Sequence, residues 1–167
     1  MPYHPRIADG ELAAALRRSG AVLIEGPKAC GKTATASEFS ASAAHLDTDP
    51  SIGGLISVDP ALVLEGGGAT IARRVAALPP ELWNAVRREV DQRGERGQFI
   101  LTGSTAPAAN SVRHSGAGRF ARLRMRTMSL FESGHSDGRV SLGALLDGGV
   151  AEGGRAVTRL SWGCSNA

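Results

Sequence analysis

Gly26-Pro27-Lys28-Ala29-Cys30-Gly31-Lys32-Thr33 is the stretch on which the reading of the fold turns. Its spacing is G-x-x-x-x-G-K-[ST], the loop pattern that cradles phosphates. Ahead of it, Ala21-Val22-Leu23-Ile24 is a short apolar run of strand type. Behind it, Thr33-Ala34-Thr35-Ala36-Ser37-Glu38-Phe39 can open a helix. Strand, loop and helix in that order is the context the pattern requires. Glycines let the backbone turn tightly, so that N–H groups converge as an anion nest, and the helix start adds a partial positive charge. All eight residues are therefore expected to line a nucleotide phosphate chain. Lys32 is expected to reach the β- and γ-phosphates, and the Thr33 hydroxyl to ligate Mg²⁺.

The spelling of positive charge supports this. The only two lysines in the chain are Lys28 and Lys32, both inside the loop; every other basic residue is Arg. A compact ammonium stands where a phosphate-binding point charge is needed, in a chain that otherwise uses the planar guanidinium.

The remaining composition sets bounds. A chain of 167 residues with 42% hydrophobic content can bury one core, but aromatics at 4% leave Ala, Val and Leu to fill it. The net charge of +3 is spread over scattered arginines, which makes nucleic acid a possible but weakly supported partner. Two cysteines, Cys30 and Cys164, make no disulfide framework. Cys30 can be read as an activated thiol or merely as a small residue, and the second reading is favoured. Pro2, Pro5, Asp9 and Glu11 interrupt any apolar leader, and no apolar run approaches the roughly 20 residues of a membrane span. A cytoplasmic protein that does not engage a membrane is expected.

Along the chain, Asp9 to Arg18 reads as a helix ended by Gly20. The helix after the loop is expected to run to about Ala44, with a strand at His45-Leu46-Asp47. Ser51 to Glu65 has no firm period, and Thr70 to Leu78 is ambiguous between strand and helix. Pro80 opens a helix with Leu82, Trp83, Val86 and Val90 on one face. Gln98 to Ser104 reads as a buried strand, and Arg119 to Met128 as a strand whose arginines face water. Ser129 to Glu132 starts a turn or short helix. Residues 1–147 are expected to form one domain, and 148–167 a patternless tail of disordered type. Strands alternating with helices argue for a parallel α/β sheet, whose ligands sit at the carboxyl ends of the strands.

Several blocks, in order, resemble a bacterial family of AAA-type ATP-binding proteins. They are Ala21 to Thr33; His45-Leu46-Asp47; Pro80-Glu81-Leu82-Trp83-Asn84; Gln98 to Ser104; Gly116-Ala117-Gly118-Arg119; and Met128-Ser129-Leu130-Phe131-Glu132. The resemblance covers roughly residues 5 to 146. It implies an α/β P-loop NTPase (AAA/ASCE-like) three-layer sandwich with a mainly parallel five-stranded sheet, binding ATP and Mg²⁺. It implies that Ser104 lies at or near the sensor position that orients the attacking water, and that Arg119 is a γ-phosphate-sensing or finger arginine. In the family a C-terminal domain of unknown function follows, so the protein partner stays unidentified.

The chain departs from that family where the third strand ordinarily carries an Asp-Glu pair, often as Leu-Ile-Asp-Glu-Trp-Gln. Here the text is Ile71-Ala72-Arg73-Arg74-Val75-Ala76-Ala77-Leu78, with no acid between Glu65 and Glu81. Written in GC-rich codons, ATC GAC GAG TGG CAG CTG encodes Ile-Asp-Glu-Trp-Gln-Leu; read from its third base it encodes Arg-Arg-Val-Ala-Ala. A compensated shift of frame and ordinary divergence to a non-hydrolysing relative are the two accounts. A second shift after about Asp147 would account for the tail. The expected function is ATP binding with impaired hydrolysis. The alternatives are a nucleotide-switched or nucleic-acid-binding module without catalysis, and a frameshifted fragment without function. Replacing Ile71 to Ala77 by Leu-Ile-Asp-Glu-Trp-Gln, one residue shorter, should raise phosphate release about tenfold or more at saturating Mg²⁺ and ATP, on the order of 1.4 kcal/mol of barrier. Brisk release by the unaltered chain, abolished by Lys32→Ala, would instead assign the metal to another carboxylate such as Asp47.

Overall fold

A computed structural model describes residues 3–46, 49–65, 70–75, 79–103, 118–138 and 142–148, with the backbone alone at 70–75. The chain divides into two compact units, Arg6–Thr127 and a second comprising Met1–Pro5 and Met128–Ala167.

The main unit is α/β. Its strands are β1 (Ala21–Glu25), β2 (Ser42–His45), β3 (Thr70–Val75), β4 (Phe99–Gly103) and β5 (Phe120–Arg124). They stand in the order β2-β3-β4-β1-β5, and every pairing is parallel. β1 lies between β4 and β5, with Ala21 opposite both Phe99 and Phe120 and Glu25 opposite both Gly103 and Arg124. Four of its five residues are fully buried, as a strand covered on both faces requires.

Alternation along β1 and β4 sends side chains to opposite faces. Ala21, Leu23, Phe99 and Leu101 pack with Ile52, Leu64, Leu82, Trp83 and Val86. Val22, Ile24 and Ile100 pack with Leu12, Ala15, Ala36, Leu123 and Met125. On the first face lie α3 (Pro50–Val58), a 3₁₀ turn (Pro60–Leu64) and α4 (Pro80–Arg93); on the second, α1 (Ile7–Arg18) and α2 (Lys32–Glu38).

Local chemistry explains the boundaries. α4 starts at a proline, whose missing N–H is no loss in the first turn, and stops at Gly94 in the left-handed conformation (φ 66°). α3 and the 3₁₀ turn each begin at an Asp-Pro pair: the Asp49 carboxylate accepts from the Ser51 N–H, and that of Asp59 from the Ala61 N–H. Those two pairs organise a stretch whose apolar spacing gave no period. α2 ends at Glu38, well short of Ala44, because Ser42 to His45 pair with β3 as β2. The Ala-rich text favours helix by propensity, and the sheet overrides it. Thr70 to Val75 resolves as strand. In β5, Leu123 and the following Met125 are buried while Arg122, Arg124 and Arg126 are exposed, the expected alternation.

In the second unit, Ser129 and Glu132 cap one another across a turn, the Ser129 N–H donating to the Glu132 carboxylate (2.7 Å) and the Glu132 N–H to Ser129 Oγ (3.2 Å). A short helix, α5, spans Leu142–Leu146. The tail from residue 149 lies outside the described residues. No helix among the described residues is long and apolar enough to cross a membrane.

Trp83 is 2% exposed and stacks on Phe120, ring centroids 4.0 Å apart and planes 9° from parallel, which ties α4 to β5. Its indole N–H has no hydrogen-bond partner among the described residues. Trp83→Ala should therefore cost about 3–5 kcal/mol in denaturant unfolding. Trp83→Phe should cost clearly less, since it keeps the stack and removes an unpaired donor. Equal losses for the two would show that the ring stack contributes little.

Candidate phosphate-binding loop

β1 ends at Glu25 and α2 begins at Lys32, so residues 26–31 form the loop at the carboxyl end of the buried strand. Two glycines are required by their surroundings. A Cβ on Gly26 would lie 2.2 Å from the Met125 carbonyl oxygen. A Cβ on Gly31 would lie 2.9 Å from Arg6 Nη1, and Gly31 has φ 98°. Ala29 is left-handed without being glycine (φ 64°), a conformation that costs on the order of 1 kcal/mol and gathers at ligand clamps. Positive φ at residues 29 and 31 flanks Cys30, which is not in that region. Alternating handedness turns successive N–H groups to one side, the geometry of an anion nest. α2 has only seven residues, so it offers little helix dipole beside the loop.

Lys32 closes the loop on itself. Its Nζ donates to the Gly26 carbonyl (2.8 Å) and the Pro27 carbonyl (2.6 Å), with Cys30 Sγ 3.8 Å away. The ammonium is thereby held across the loop. Thr33 follows it, half-buried on the first turn of α2. Lys28 is exposed. Cys30 is 5% exposed, its thiol 3.9 Å from the Met125 carbonyl, so it fills space under the loop.

Beneath the loop lies a residue that no sequence signal marked. Arg6, 8% exposed, donates from Nη1 to the Cys30 carbonyl (2.8 Å) and from Nη2 to the Arg126 carbonyl (3.0 Å). A lone arginine ahead of a helix has no pattern to distinguish it from a solvated one; only its burial does.

The other predicted residues fall differently. Gly103 pairs with Glu25 beside the loop, but Ser104, the next residue, lies outside the described residues, as do Asp47 and Cys164. Arg119 is not at the loop. It immediately precedes β5, level with the start of β1, so the parallel sheet puts it at the opposite end of the strands, roughly 20 Å from Gly26 at about 3.3 Å per residue. There its Nε donates to the Asp91 carboxylate of α4 (2.5 Å). Arg119 is thus paired at the end of the sheet away from the loop of its own chain. Arg73 and Arg74 lie on β3, in a stretch where the register with β4 shifts between Ala72 and Val75. β4 separates that strand from β1. Among the described residues no group of three His, Cys, Asp or Glu could hold a metal ion. Of the arginines on β5, Arg122 stands 3.7 Å from the Glu25 carboxylate, which lessens the free positive charge of that edge.

The chain matches no protein-family model and no curated protein.

The hydrogen bond from Arg119, with the charges of Arg119 and Arg87, holds the Asp91 carboxyl below its ordinary 3.8, against a smaller opposing effect of desolvation. A depressed acid contributes stability that is present above its unfolded pKa and fades as pH falls through its folded one. NMR titration should place Asp91 below 3.8, and Arg119→Gln should move it back toward that value. An Asp91 midpoint indifferent to the substitution would mean that the pair does not persist in solution.

Proposed function

We propose that this chain binds ATP with Mg²⁺ through residues 26–33 and turns it over slowly or not at all. The observation that carries the reading is the Lys32 ammonium seated on the Gly26 and Pro27 carbonyls, across a loop whose handedness alternates at residues 29 to 31. The N–H groups of that loop suit phosphate oxygens, and Lys32 retains a third donor, turned toward the weak acceptor Cys30 Sγ, that a phosphate oxygen would take. The Thr33 hydroxyl would supply one oxygen to hold Mg²⁺, and a bound Mg²⁺ would supply charge neutralisation at the phosphates.

The strand order, with the loop following a β1 enclosed by β4 and β5, supports a P-loop NTPase sandwich of AAA/ASCE-like type on a five-stranded sheet. The blocks that resemble the AAA-type family support the same reading. Ground-state binding rests on the loop backbone, Lys32 and Thr33. Turnover needs a water oriented for in-line attack, and the text at Arg73-Arg74 offers two cations where two carboxylates would serve. On this reading the protein is a nucleotide-binding module of an ATPase family in which catalysis has been reduced.

Binding of a fluorescent ATP analogue, or calorimetry with ATP and Mg²⁺, tests it. Lys32→Ala should weaken binding about tenfold to a hundredfold, since a hydrogen bond to a charged group contributes roughly 1.5–3 kcal/mol. Equal affinity in the two proteins would overturn the reading. Retention on DNA that falls with salt, in a chain that ignores nucleotide, would favour the basic edge of β5 as the working surface.

A further inference from the structure

Arg6 joins three segments that are distant in sequence. Its own N–H donates to the Asp9 carboxylate (2.7 Å) and its carbonyl accepts from the Asp9 N–H (3.0 Å), which fixes it to the first turn of α1. Its guanidinium reaches the phosphate loop at the Cys30 carbonyl and the chain leaving β5 at the Arg126 carbonyl. Burying such a cation is unfavourable unless its donors are used. The planar fork presents two nitrogens at a fixed separation, which a single ammonium does not.

The Cys30 carbonyl lies in the same peptide plane as the Gly31 N–H. In a trans peptide the two point in opposite directions, and the chain has no cis bond among the described residues. A donor holding the Cys30 carbonyl from behind therefore aims the Gly31 N–H to the other side of the loop. The second nitrogen fixes the Arg126–Thr127 peptide plane in the same way. The two places where the chain passes between its compact units are Pro5–Arg6 and Thr127–Met128. Arg6 stands at the first and holds the residue before the second.

We propose that Arg6 is a positioning residue that couples occupancy of the phosphate loop to the backbone leaving β5 at Arg126–Met128. The inference rests on the nucleotide reading above. An anion that fixes the Gly31 N–H fixes the Cys30 carbonyl, and through one rigid guanidinium it fixes the Arg126 carbonyl. By linkage, whatever holds the 126–128 segment tightens nucleotide binding by the same factor.

Amide hydrogen exchange on the full chain, with and without Mg²⁺ and a slowly hydrolysed ATP analogue, tests the coupling. In the unaltered protein, nucleotide should slow exchange at residues 126–128 about fivefold or more. Arg6→Met should lose that protection and bind the analogue about tenfold more weakly, while circular dichroism and a cooperative melt show it folded. Arg6→Lys keeps a charge but cannot span both carbonyls, and should behave like Arg6→Met. A purely structural arginine would change stability without removing a ligand-dependent protection. Unchanged exchange at 126–128 in nucleotide-bound unaltered protein overturns the coupling, and needs no variant to fold. Full protection in Arg6→Lys overturns the bridging role. If the unaltered chain and Lys32→Ala both fail to bind the analogue, the nucleotide reading falls and the coupling falls with it. If Lys32→Ala alone fails and the Arg6 variants bind and protect normally, only the coupling is overturned.

Discussion

Everything in the main unit is built outward from β1 held between β4 and β5. Its backbone groups pair on both sides, and Ala21 to Ile24 are sealed from water on both faces. A strand enclosed in this way cannot slide: a shift of one residue would exchange the two faces and turn Leu23 and Ile24 to the wrong clusters. The strand therefore delivers Gly26 to one fixed place at the carboxyl edge of the sheet. There the backbone of Met125 approaches so closely that only glycine fits. The loop geometry follows from the register of a buried strand more than from the loop's own preferences. This explains how Ala29 can be held left-handed at an unfavourable φ.

The part of this arrangement legible in the sequence was the part set by local chemistry. The loop spacing, the apolar run before it, the proline start of α4 and its glycine stop each act over a few residues, and each is found where the text put it. What was not legible depended on partners far away in sequence. The Ala-rich segment after the loop reads as helix until β3 is there to pair with it. Arg119 reads as a phosphate contact by analogy of blocks. The parallel direction of β5 then carries it to the far end of the sheet, where Asp91 meets it. The Arg6 guanidinium carries no local signal, since the carbonyls it holds are 24 and 120 residues away.

The distribution of cations in the molecule separates two jobs. At the loop, a lysine donates to two carbonyls of its own turn and keeps a point charge at the mouth. Beneath the loop, an arginine uses its fork to hold the Cys30 and Arg126 carbonyls. Exchanging the two residue types would spoil both tasks. A guanidinium at position 32 is too broad for a turn closed at 2.6–2.8 Å, and an ammonium at position 6 cannot reach both backbones from one nitrogen. The near-absence of lysine from the chain thus acquires a structural meaning at the one place where lysine was kept.

Binding and turnover make different demands on such a loop. Affinity for a phosphate chain needs only groups complementary to the ground state, and on the proposed reading these would be the loop backbone, Lys32 and Thr33. Rate needs groups whose interaction grows as charge develops, placed on strands that flank the loop rather than in it. β3, one strand removed from β1 behind β4, carries Arg73 and Arg74 in its text and an irregular register beside β4. The described buried side chains of the two clusters around β1 come from β1, β4, β5 and the segments packed on them. On the proposed reading the separation is physical: β3, whose text departs from the acid pair, is not the strand that leads into the loop, which is β1.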